Sequence, residues 1–513
     1  MVQIPNIEKL KEEKDISELN EHILHTDSEI REKALKTISE LIDQGSYDSS
    51  TLKPLEKALD DNSKNIQVKA AELIYKLAQN DVYESSSLKP LISLLDEDEK
   101  HLRGVTIKAL RGLAEKGVYD ANSIEQLNKN LRDEDEFVRW NAIRTLEVLA
   151  EKGICRSSTL EELYQVLDDS DEEIKNVALH TLRSMTREGI TDDESVEKVG
   201  NLLTRSSSEV KRNAAKTIET LAKNNIDVSP VIGKLNRLLR EIDEKNSEAA
   251  ASALKSAFEN GYYERRTIKI LSKMLSDSDR NRRRQILKNL LDFAEKGLVD
   301  ETSLGPLNKL LEQDDEEEAE IAIKTMTSMA MNGVKENKIM ETLNATLQNG
   351  KDEAKKTSAR SLKKLASMGI YKAESIELLF DLLQHPQDKV RENAMEAIEF
   401  ITLEKSWDES ILEKIFYALE DENKFVRISA ISTLKHLAEQ GLASEESISY
   451  LNELLSSNDE GLVERTLLTL SVMIEQDIYD EKTRKHLNEL TEDSKYSIQK
   501  KAQDLIEIVE EKG

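Results

Sequence analysis

Apolar residues recur along this chain at a fixed spacing of 36 residues. The stretch from Ser86 to Ala121 has the same apolar pattern as the stretch from Asn122 to Ser157. One apolar position marks this period along almost the whole length: Ile16, Leu52, Leu88, Ile124, Leu160, Val196, Ile232, Ile268, Leu304, Met340, Ile376, Leu412 and Ile448. A period of this length predicts an array of tandem structural repeats instead of several separate globular domains.

The unbroken period predicts one continuous array with a cap at each end. We assign residues 1–13 to an N-terminal cap segment, residues 14–481 to thirteen tandem 36-residue repeats, and residues 482–513 to a shorter C-terminal capping repeat. In that last repeat Gln503 and Glu510 stand where earlier repeats have apolar or small residues. A polar flank of this kind is expected on a terminal repeat that has no further neighbour to cover it.

Each repeat contains two helical patterns. We number positions from the first residue of a repeat, so that Ser50 and Ser86 both occupy position 1. Apolar residues at positions 3, 6 and 10 predict a first, short helix with one buried face. After an acidic turn, whose charge suits a helix N-terminus, apolar or small residues at positions 17, 21, 22, 25, 28 and 29 predict a second helix. Its wide apolar arc suits a helix that packs against its partner and two neighbouring repeats.

Position 32 is predicted to end the second helix in the left-handed backbone conformation. Asp81, Asn225 and Asp477 occupy this position in three repeats, and these residue types tolerate that conformation. Nine other repeats have glycine there: Gly45, Gly117, Gly153, Gly189, Gly261, Gly297, Gly333, Gly369 and Gly441.

The start of the second helix carries a Val-Arg pair followed by Ala: Val138-Arg139 with Ala142, Val390-Arg391 with Ala394, and Val426-Arg427 with Ala430. Together with the paired helices and the acidic turn, this pattern resembles the HEAT-repeat family of the armadillo-like α-solenoids over essentially the whole chain. The resemblance implies an all-α fold, a right-handed superhelix of about fourteen two-helix HEAT-like repeats whose second helices line the concave wall. It also implies a binding scaffold, a role in which members of the family serve widely different partners.

Three consecutive repeats depart from the family pattern, with Asn246, Arg282 and Glu318 at the normally apolar position 17.

The net charge of −28 disfavours nonspecific attraction to nucleic acid or anionic lipid. The charge is unevenly distributed: it is −15 over residues 1–193, +4 over residues 194–373 and −17 over residues 374–513. The locally basic middle segment contains a cluster of cations: Arg280, Arg282, Arg283, Arg284, Lys288, Lys351, Lys355, Lys356, Arg360, Lys363 and Lys364.

Position 23 lies opposite the centre of the apolar arc of the second helix, so its side chain is predicted to point outward. Six of eight consecutive residues at this position are Lys or Arg: Lys108, Arg144, His180, Lys216, Ser252, Lys288, Lys324 and Arg360. Trp140, one turn before Arg144, can stack on a partner or cover Arg144 itself. We predict that the following residues bind a partner: Lys108, Trp140, Arg144, Lys216, Arg283, Arg284, Lys288, Lys324, Lys356 and Arg360.

A solvated face is the competing interpretation of the same residues. Charges alternate in sign at position 19, and such residues can form ion pairs between neighbouring repeats. Three like-charged pairs spaced by four residues favour an anionic partner instead, because they repel each other in an isolated helix: Arg212–Lys216, Arg284–Lys288 and Lys356–Arg360.

Signals for catalysis are weak in this sequence. The seven histidines occupy different repeat positions and supply no clustered metal site, and none precedes Glu, which excludes the His-Glu pattern of the iron-dependent hydroxylases built from this repeat. Cys155 stands where other repeats have Tyr, so we predict a buried loop residue and not a nucleophile. We therefore predict no enzyme activity, no cofactor and no metal site.

These observations predict a non-catalytic scaffold that binds a protein partner with an acidic surface through its concave face. The alternative is a ribosome- or structured-RNA-associated factor that contacts phosphates with the same basic residues. The low aromatic content of 4% disfavours single strands, which bind by stacking. A single cysteine and the lack of an apolar leader or membrane-length run predict a cytoplasmic protein with no membrane contact.

Overall fold

The structure is a computed structural model that describes residues 6–276, 279–404, 407–492 and 495–512. Within these ranges the regular structure is helical and no β-strand occurs, which confirms the predicted all-α class. The chain divides into two compact units, residues 1–264 (the N-terminal unit) and residues 265–513 (the C-terminal unit).

The helices of the N-terminal unit are α1 (Ile7–Glu13), α2 (Ile16–His22), α3 (Ser28–Asp43), α4 (Leu52–Ala58), α5 (Lys64–Gln79), α6 (Leu88–Ser93), α7 (Lys100–Glu115), α8 (Ala121–Asn130), α9 (Glu136–Glu151), α10 (Ser158–Val166), α11 (Glu172–Arg187), α12 (Glu194–Arg205), α13 (Ser208–Lys223), α14 (Ile232–Leu238) and α15 (Glu244–Glu259). Short 3₁₀ turns flank some of them: Ser49–Thr51, Ser85–Ser87, Leu94–Asp96 and Ser229–Val231.

The helices of the C-terminal unit are α16 (Arg266–Met274), α17 (Arg280–Glu295), α18 (Leu304–Leu311), α19 (Glu316–Met331), α20 (Glu336–Asn349), α21 (Asp352–Ala366), α22 (Ala373–Asp381), α23 (Asp388–Glu404), α24 (Ser410–Leu419), α25 (Lys424–Glu439), α26 (Glu445–Leu455), α27 (Glu460–Glu475), α28 (Glu481–Leu490) and α29 (Tyr496–Lys512). Its 3₁₀ turns are Glu301–Ser303 and Leu382–Gln384.

From α3 onward the odd-numbered helices, which we call the long helices, correspond to the predicted second helix of each repeat. Their first residues are 36 apart, from Ser28 in α3 to Tyr496 in α29. The period holds through α15, α17 and α19, where Asn246, Arg282 and Glu318 replace the apolar residue of position 17. The predicted period is thus confirmed, while the division into thirteen repeats and two caps stays a prediction.

Packing follows the order of the chain within each unit. Every long helix contacts the short helix that precedes it and the next long helix of its unit. In α9 the predicted apolar arc is buried, with Val138, Ala142, Ile143 and Leu146 fully inaccessible to solvent. Because full burial of one such aliphatic side chain contributes roughly 1.5–3 kcal/mol, these repeated contacts stabilise an α-solenoid.

The ends of the second, long helix form as the sequence predicts. In the acidic turn before α9, Asp135 Oδ1 accepts backbone hydrogen bonds from Phe137 (3.0 Å) and Val138 (3.3 Å), which satisfies donors that have no partner inside the helix. All nine glycines at position 32 have φ between +71° and +88°, and Asp81, Asn225 and Asp477 have φ between +62° and +64°. The predicted left-handed helix ends are therefore confirmed.

Arginine at position 18, the arginine of the Val-Arg pair, joins neighbouring repeats. Arg139 Nε lies 2.7 Å from Asp169 Oδ2 of the next acidic turn, with the two side chains only 16% and 6% exposed. Arg139 Nη1 also donates to the Asp133 carbonyl at 2.9 Å. Three more pairs repeat this geometry: Arg31–Asp61, Arg103–Asp133 and Arg391–Asp421. These arginines consequently stabilise the stacking of neighbouring repeats.

Among the described residues, no helix is long and apolar enough to cross a membrane.

Candidate partner-binding surface

Position 23 is accessible on the long helices, as its place opposite the apolar arc predicts. Lys216, Lys288 and Arg360 are exposed, whereas the other predicted cations at this position, Lys108, Arg144 and Lys324, are half-buried. The structure thus confirms the outward orientation on each helix, while the partner-binding role of these residues stays a prediction.

Aromatic rings cover several cations of the N-terminal unit. Lys108 Nζ lies 4.7 Å from the centre of the Tyr75 ring, on the preceding long helix. Trp140 is half-buried between two guanidiniums, with Arg111 Cζ at 5.6 Å and Arg144 Cζ at 5.5 Å from its ring centre. Trp140 therefore covers Arg144 within the chain, and its binding of a partner stays a prediction.

A group of one histidine and two glutamates lies next to Arg144. Glu147 accepts from Arg144 at 2.7 Å, and His180 Nδ1 lies 3.0 Å from Glu147 and 3.8 Å from Glu151. Burial raises the pKa of Glu147, but the contact with His180 and the charge of Arg144 outweigh burial, so the pKa is below its ordinary value. One ligand atom from each of Glu147, Glu151 and His180 lies within 4.8 Å of the others, so the group offers three potential metal ligands of which one is a histidine. Arg144 already neutralises the most buried carboxylate, which makes this group a poor dication site.

Lys216 differs from these cations because nothing compensates its charge. It is exposed and forms no ion pair with any residue that the structure describes. Arg183, which the sequence analysis did not select, is half-buried on α11 and also has no ion pair in the described ranges.

The basic cluster on α17 pairs with acidic residues at the start of α19. Arg284 contacts Asp315 at 3.1 Å and Glu317 at 2.5 Å, and Arg280 also pairs with Asp315. Burial raises the pKa of Asp315, but hydrogen bonds from Arg280, the Glu318 backbone and Arg284 lower it to about 2.

Two further predicted cations of α17 have acidic partners on α19. Arg283 lies 3.3 Å from Glu318, whose side chain is fully buried, and Lys288 lies 3.9 Å from Glu317. The competing interpretation, ion pairs between repeats, thus describes Arg283, Arg284 and Lys288 in the structure, and their charges are largely compensated within the chain.

The remaining predicted cations of the C-terminal unit lie on α19 and α21. Lys324 pairs with Glu320 at 2.7 Å, and Lys356 pairs with Glu353. Arg360 is exposed and has no ion pair among the described residues. Of the ten predicted binding residues, Lys216 and Arg360 are consequently the ones left with an exposed and uncompensated charge.

Position 26 was not among the predicted contact positions, although its side chain reaches position 23 of the next long helix. Tyr75 with Lys108, Glu147 with His180, and Lys363 with Glu396 (2.7 Å) are three examples. Charges at position 26 were available in the sequence, but the contact depends on how successive long helices are rotated, which apolar periodicity does not specify.

A cleft of about 520 Å³ opens between α18, α19, α20 and α21. Glu312, Asp314 and Asp315 line one side, and Ala345 and Ala354 lie among its apolar lining residues. Lys351 pairs with Asp314 at its edge, so part of the acidic charge is already neutralised.

Cys155 is buried, as predicted for a loop residue. Burial raises the pKa of its thiol to about 12, so the reactive thiolate is not available at neutral pH.

Comparisons with known proteins place the sequence in a family. The family described as adaptin N terminal region matches residues 13–296, and no curated protein sequence matches the chain. Among solved structures, an engineered protein is 20% identical, with a TM-score of 0.37, 90% of this chain covered and 98% of that chain covered.

Two natural solenoid proteins give similar sequence identities and TM-scores. A chain from the crystal structure of Kap121p bound to Nup53p is 15% identical with a TM-score of 0.47, covering 99% of this chain and 57% of that chain. A chain from a structure of Kap95p binding to RanGDP is 15% identical with a TM-score of 0.45, covering 97% and 72%. Because the family match spans more than half of the sequence, the protein belongs to the adaptin N terminal region family, within the HEAT-repeat solenoids.

Proposed function

We propose that this protein is a non-catalytic scaffold of the cytoplasm that binds a protein partner through the outward face of its long helices. The observation that carries the proposal is that two exposed cations at position 23, Lys216 in the N-terminal unit and Arg360 in the C-terminal unit, have no ion pair among the described residues. Solenoids present long rows of side chains on stacked helices, and such surfaces suit extended protein partners. In HEAT-repeat proteins this face lines the concave wall, where we place the partner.

Charge compensation favours a protein partner over RNA. Arg283, Arg284, Lys288, Lys324 and Lys356 already have acidic partners in the chain, so they would release few counterions from a phosphate backbone. A protein partner with a few acidic groups can bind through the two remaining cations, Lys216 and Arg360.

The proposal is tested by recovery of partners from a native lysate with tagged full-length protein. We expect Lys216→Glu combined with Arg360→Glu to reduce recovery of the main partner at least tenfold, because two attractive contacts become repulsive. The control is Lys129→Glu combined with Lys485→Glu, which reverses two cations of the short helices α8 and α28. Equal recovery by all three proteins would contradict the assignment of the surface.

A further inference from the structure

In three pairs of consecutive long helices, the residues at positions 26 and 23 attract each other. Glu147 faces His180 at 3.0 Å, and Lys363 faces Glu396 at 2.7 Å, each pair separated by 33 residues. Tyr75 and Lys108 satisfy the same contact by a cation–π interaction. The repeat period brings the two positions together, so the residues that occupy them decide whether the contact attracts or repels.

Two cations also occupy these positions at Arg111 and Arg144, where the Trp140 ring contacts both guanidiniums, and at Lys255 and Lys288. The contact between α11 and α13 differs because no aromatic ring covers its cations among the described residues.

The residues 36 positions after Glu147 and His180 are Arg183 and Lys216. Both are cations, whereas a glutamate and a histidine meet at these positions one repeat earlier. Neither forms an ion pair with a described residue. Glu219 is the acid whose charge acts on Arg183, but its carboxylate binds Lys223 Nζ at 2.5 Å.

Arg183 is held in an unfavourable environment. Its Nε is buried and donates to no acceptor in the described part of the chain. Burial lowers the pKa of Arg183, and the nearby charge of Arg187 lowers it further. A desolvated guanidinium that lacks an acceptor destabilises the protein unless an external anion supplies one.

A phosphoryl group can supply the missing acceptor of Arg183 better than a carboxylate can. It offers three acceptor oxygens and close to two negative charges, and guanidinium groups bind it through paired hydrogen bonds. The charge of Arg187 acts on Arg183, and Lys216 occupies the position of α13 that corresponds to His180 in the Glu147–His180 contact. We call Arg183, Arg187 and Lys216 the α11–α13 cation site.

Acidic residues flank the α11–α13 cation site on both sides. Exposed Glu151 precedes it on α9, beside Glu147, which already pairs with Arg144, and Glu248 follows it as an exposed residue of α15. Packed helices lie about 10 Å apart, which an extended peptide spans in about three residues. A continuous polyanion would be repelled by these flanks, whereas a peptide with basic residues about three positions from its phosphoryl group would be attracted to them.

We propose that the α11–α13 cation site binds one phosphorylated side chain of a protein partner, in a segment with basic residues about three positions before and after it. This inference rests on the proposed scaffold function and specifies its ligand in the N-terminal unit.

The test is fluorescence anisotropy of the full-length protein with a labelled peptide that has a central phosphoserine and arginine three residues to either side. We expect Arg183→Gln combined with Lys216→Gln to weaken binding at least tenfold. Lys36→Gln, an exposed lysine at position 23 of α3, should change it less than twofold. We expect the unphosphorylated peptide to bind at least tenfold more weakly, and inorganic phosphate alone to compete only at millimolar concentration.

Thermal unfolding provides a second readout that does not depend on the peptide. We expect Arg183→Met to raise Tm in phosphate-free buffer, because it removes the unsatisfied guanidinium, and phosphate to raise Tm more for the wild type than for this variant. Equal binding of both peptides, or an unchanged Tm of Arg183→Met in phosphate-free buffer, would overturn the inference. If partner recovery still depended on Lys216 in that case, the scaffold proposal would stand without a phosphoryl ligand.

Discussion

Arginine plays two opposite roles on the long helices, and its neighbours decide which. At position 18, Arg139 has a buried carboxylate at 2.7 Å and a carbonyl at 2.9 Å, so its charge is satisfied inside the array. At position 26, Arg183 has no acceptor for its buried Nε within the described residues. A cation whose donors all have acceptors stabilises the stacked repeats, whereas a cation with an unsatisfied donor can still bind a ligand.

The Arg139–Asp169 pair gives a prediction at this scale. We expect Asp169→Ala to lower the free energy of unfolding by about 3 kcal/mol, because it leaves a desolvated guanidinium without its anion. Urea denaturation followed by circular dichroism measures the change. Replacing both residues, Arg139→Met with Asp169→Leu, should restore much of the loss, since no unpaired charge remains. An equal loss in the single and double variants would show that packing, not charge, holds this contact.

At the scale of the element, one backbone conformation ends each long helix. Gly117 has φ of +84° and no atom lies within 4 Å of the position that a Cβ would occupy. Asn225 adopts φ of +62° at the equivalent position, with an exposed side chain. The left-handed conformation disfavours every residue with a Cβ, so the two positions differ in backbone strain and little else.

Substitution of Gly117 and substitution of Asn225 should therefore change stability in opposite directions. We expect Gly117→Ala to lower the free energy of unfolding by about 1 kcal/mol, and Asn225→Gly to raise it by about 0.5 kcal/mol. Thermal and urea denaturation of the two variants beside the wild type measure both changes. A loss of stability in both would show that the Asn225 side chain contributes a contact that outweighs its strain.

Elements were predictable from the sequence where their signals are local. The paired helices of each repeat, the acidic turn before α9 and the left-handed Gly117 depend on neighbours a few residues away, and the structure confirms each. Contacts between repeats were not predictable in the same way. The acids Asp315 and Glu317 were visible beside a helix start, but their pairing with Arg284 depends on the rotation of α19 against α17. Apolar periodicity fixes which face of a helix is buried and leaves that rotation open.

At the scale of the whole molecule, regional net charge is a poor guide to available charge. Residues 194–373 sum to +4 in a chain of −28, which suggested a basic surface in the middle. Within the C-terminal unit, however, the α17 cations pair with the acids of the α19 start. A polyanion must then compete with these internal carboxylates for each cation, which makes RNA binding unfavourable.

This compensation leads to a prediction about RNA. We expect the wild-type protein not to co-sediment with ribosomes at either 50 or 200 mM salt. Asp315→Asn combined with Glu317→Gln releases the α17 cations, and should create measurable binding that declines steeply with salt, because the freed cations would displace counterions from phosphates. Asparagine at 315 keeps the helix cap, so α19 should still form.

The control for this experiment is Glu336→Gln combined with Glu374→Gln, which gives the same net charge by removing two exposed carboxylates that have no ion pair in the described ranges. If net charge alone governed RNA binding, the control would bind as well as the released variant. Strong, salt-sensitive binding by the wild type would instead favour the ribosome or structured-RNA alternative over a protein partner. The experiment therefore separates available charge from total charge, and it does so on α17, which contains five cations of the basic cluster.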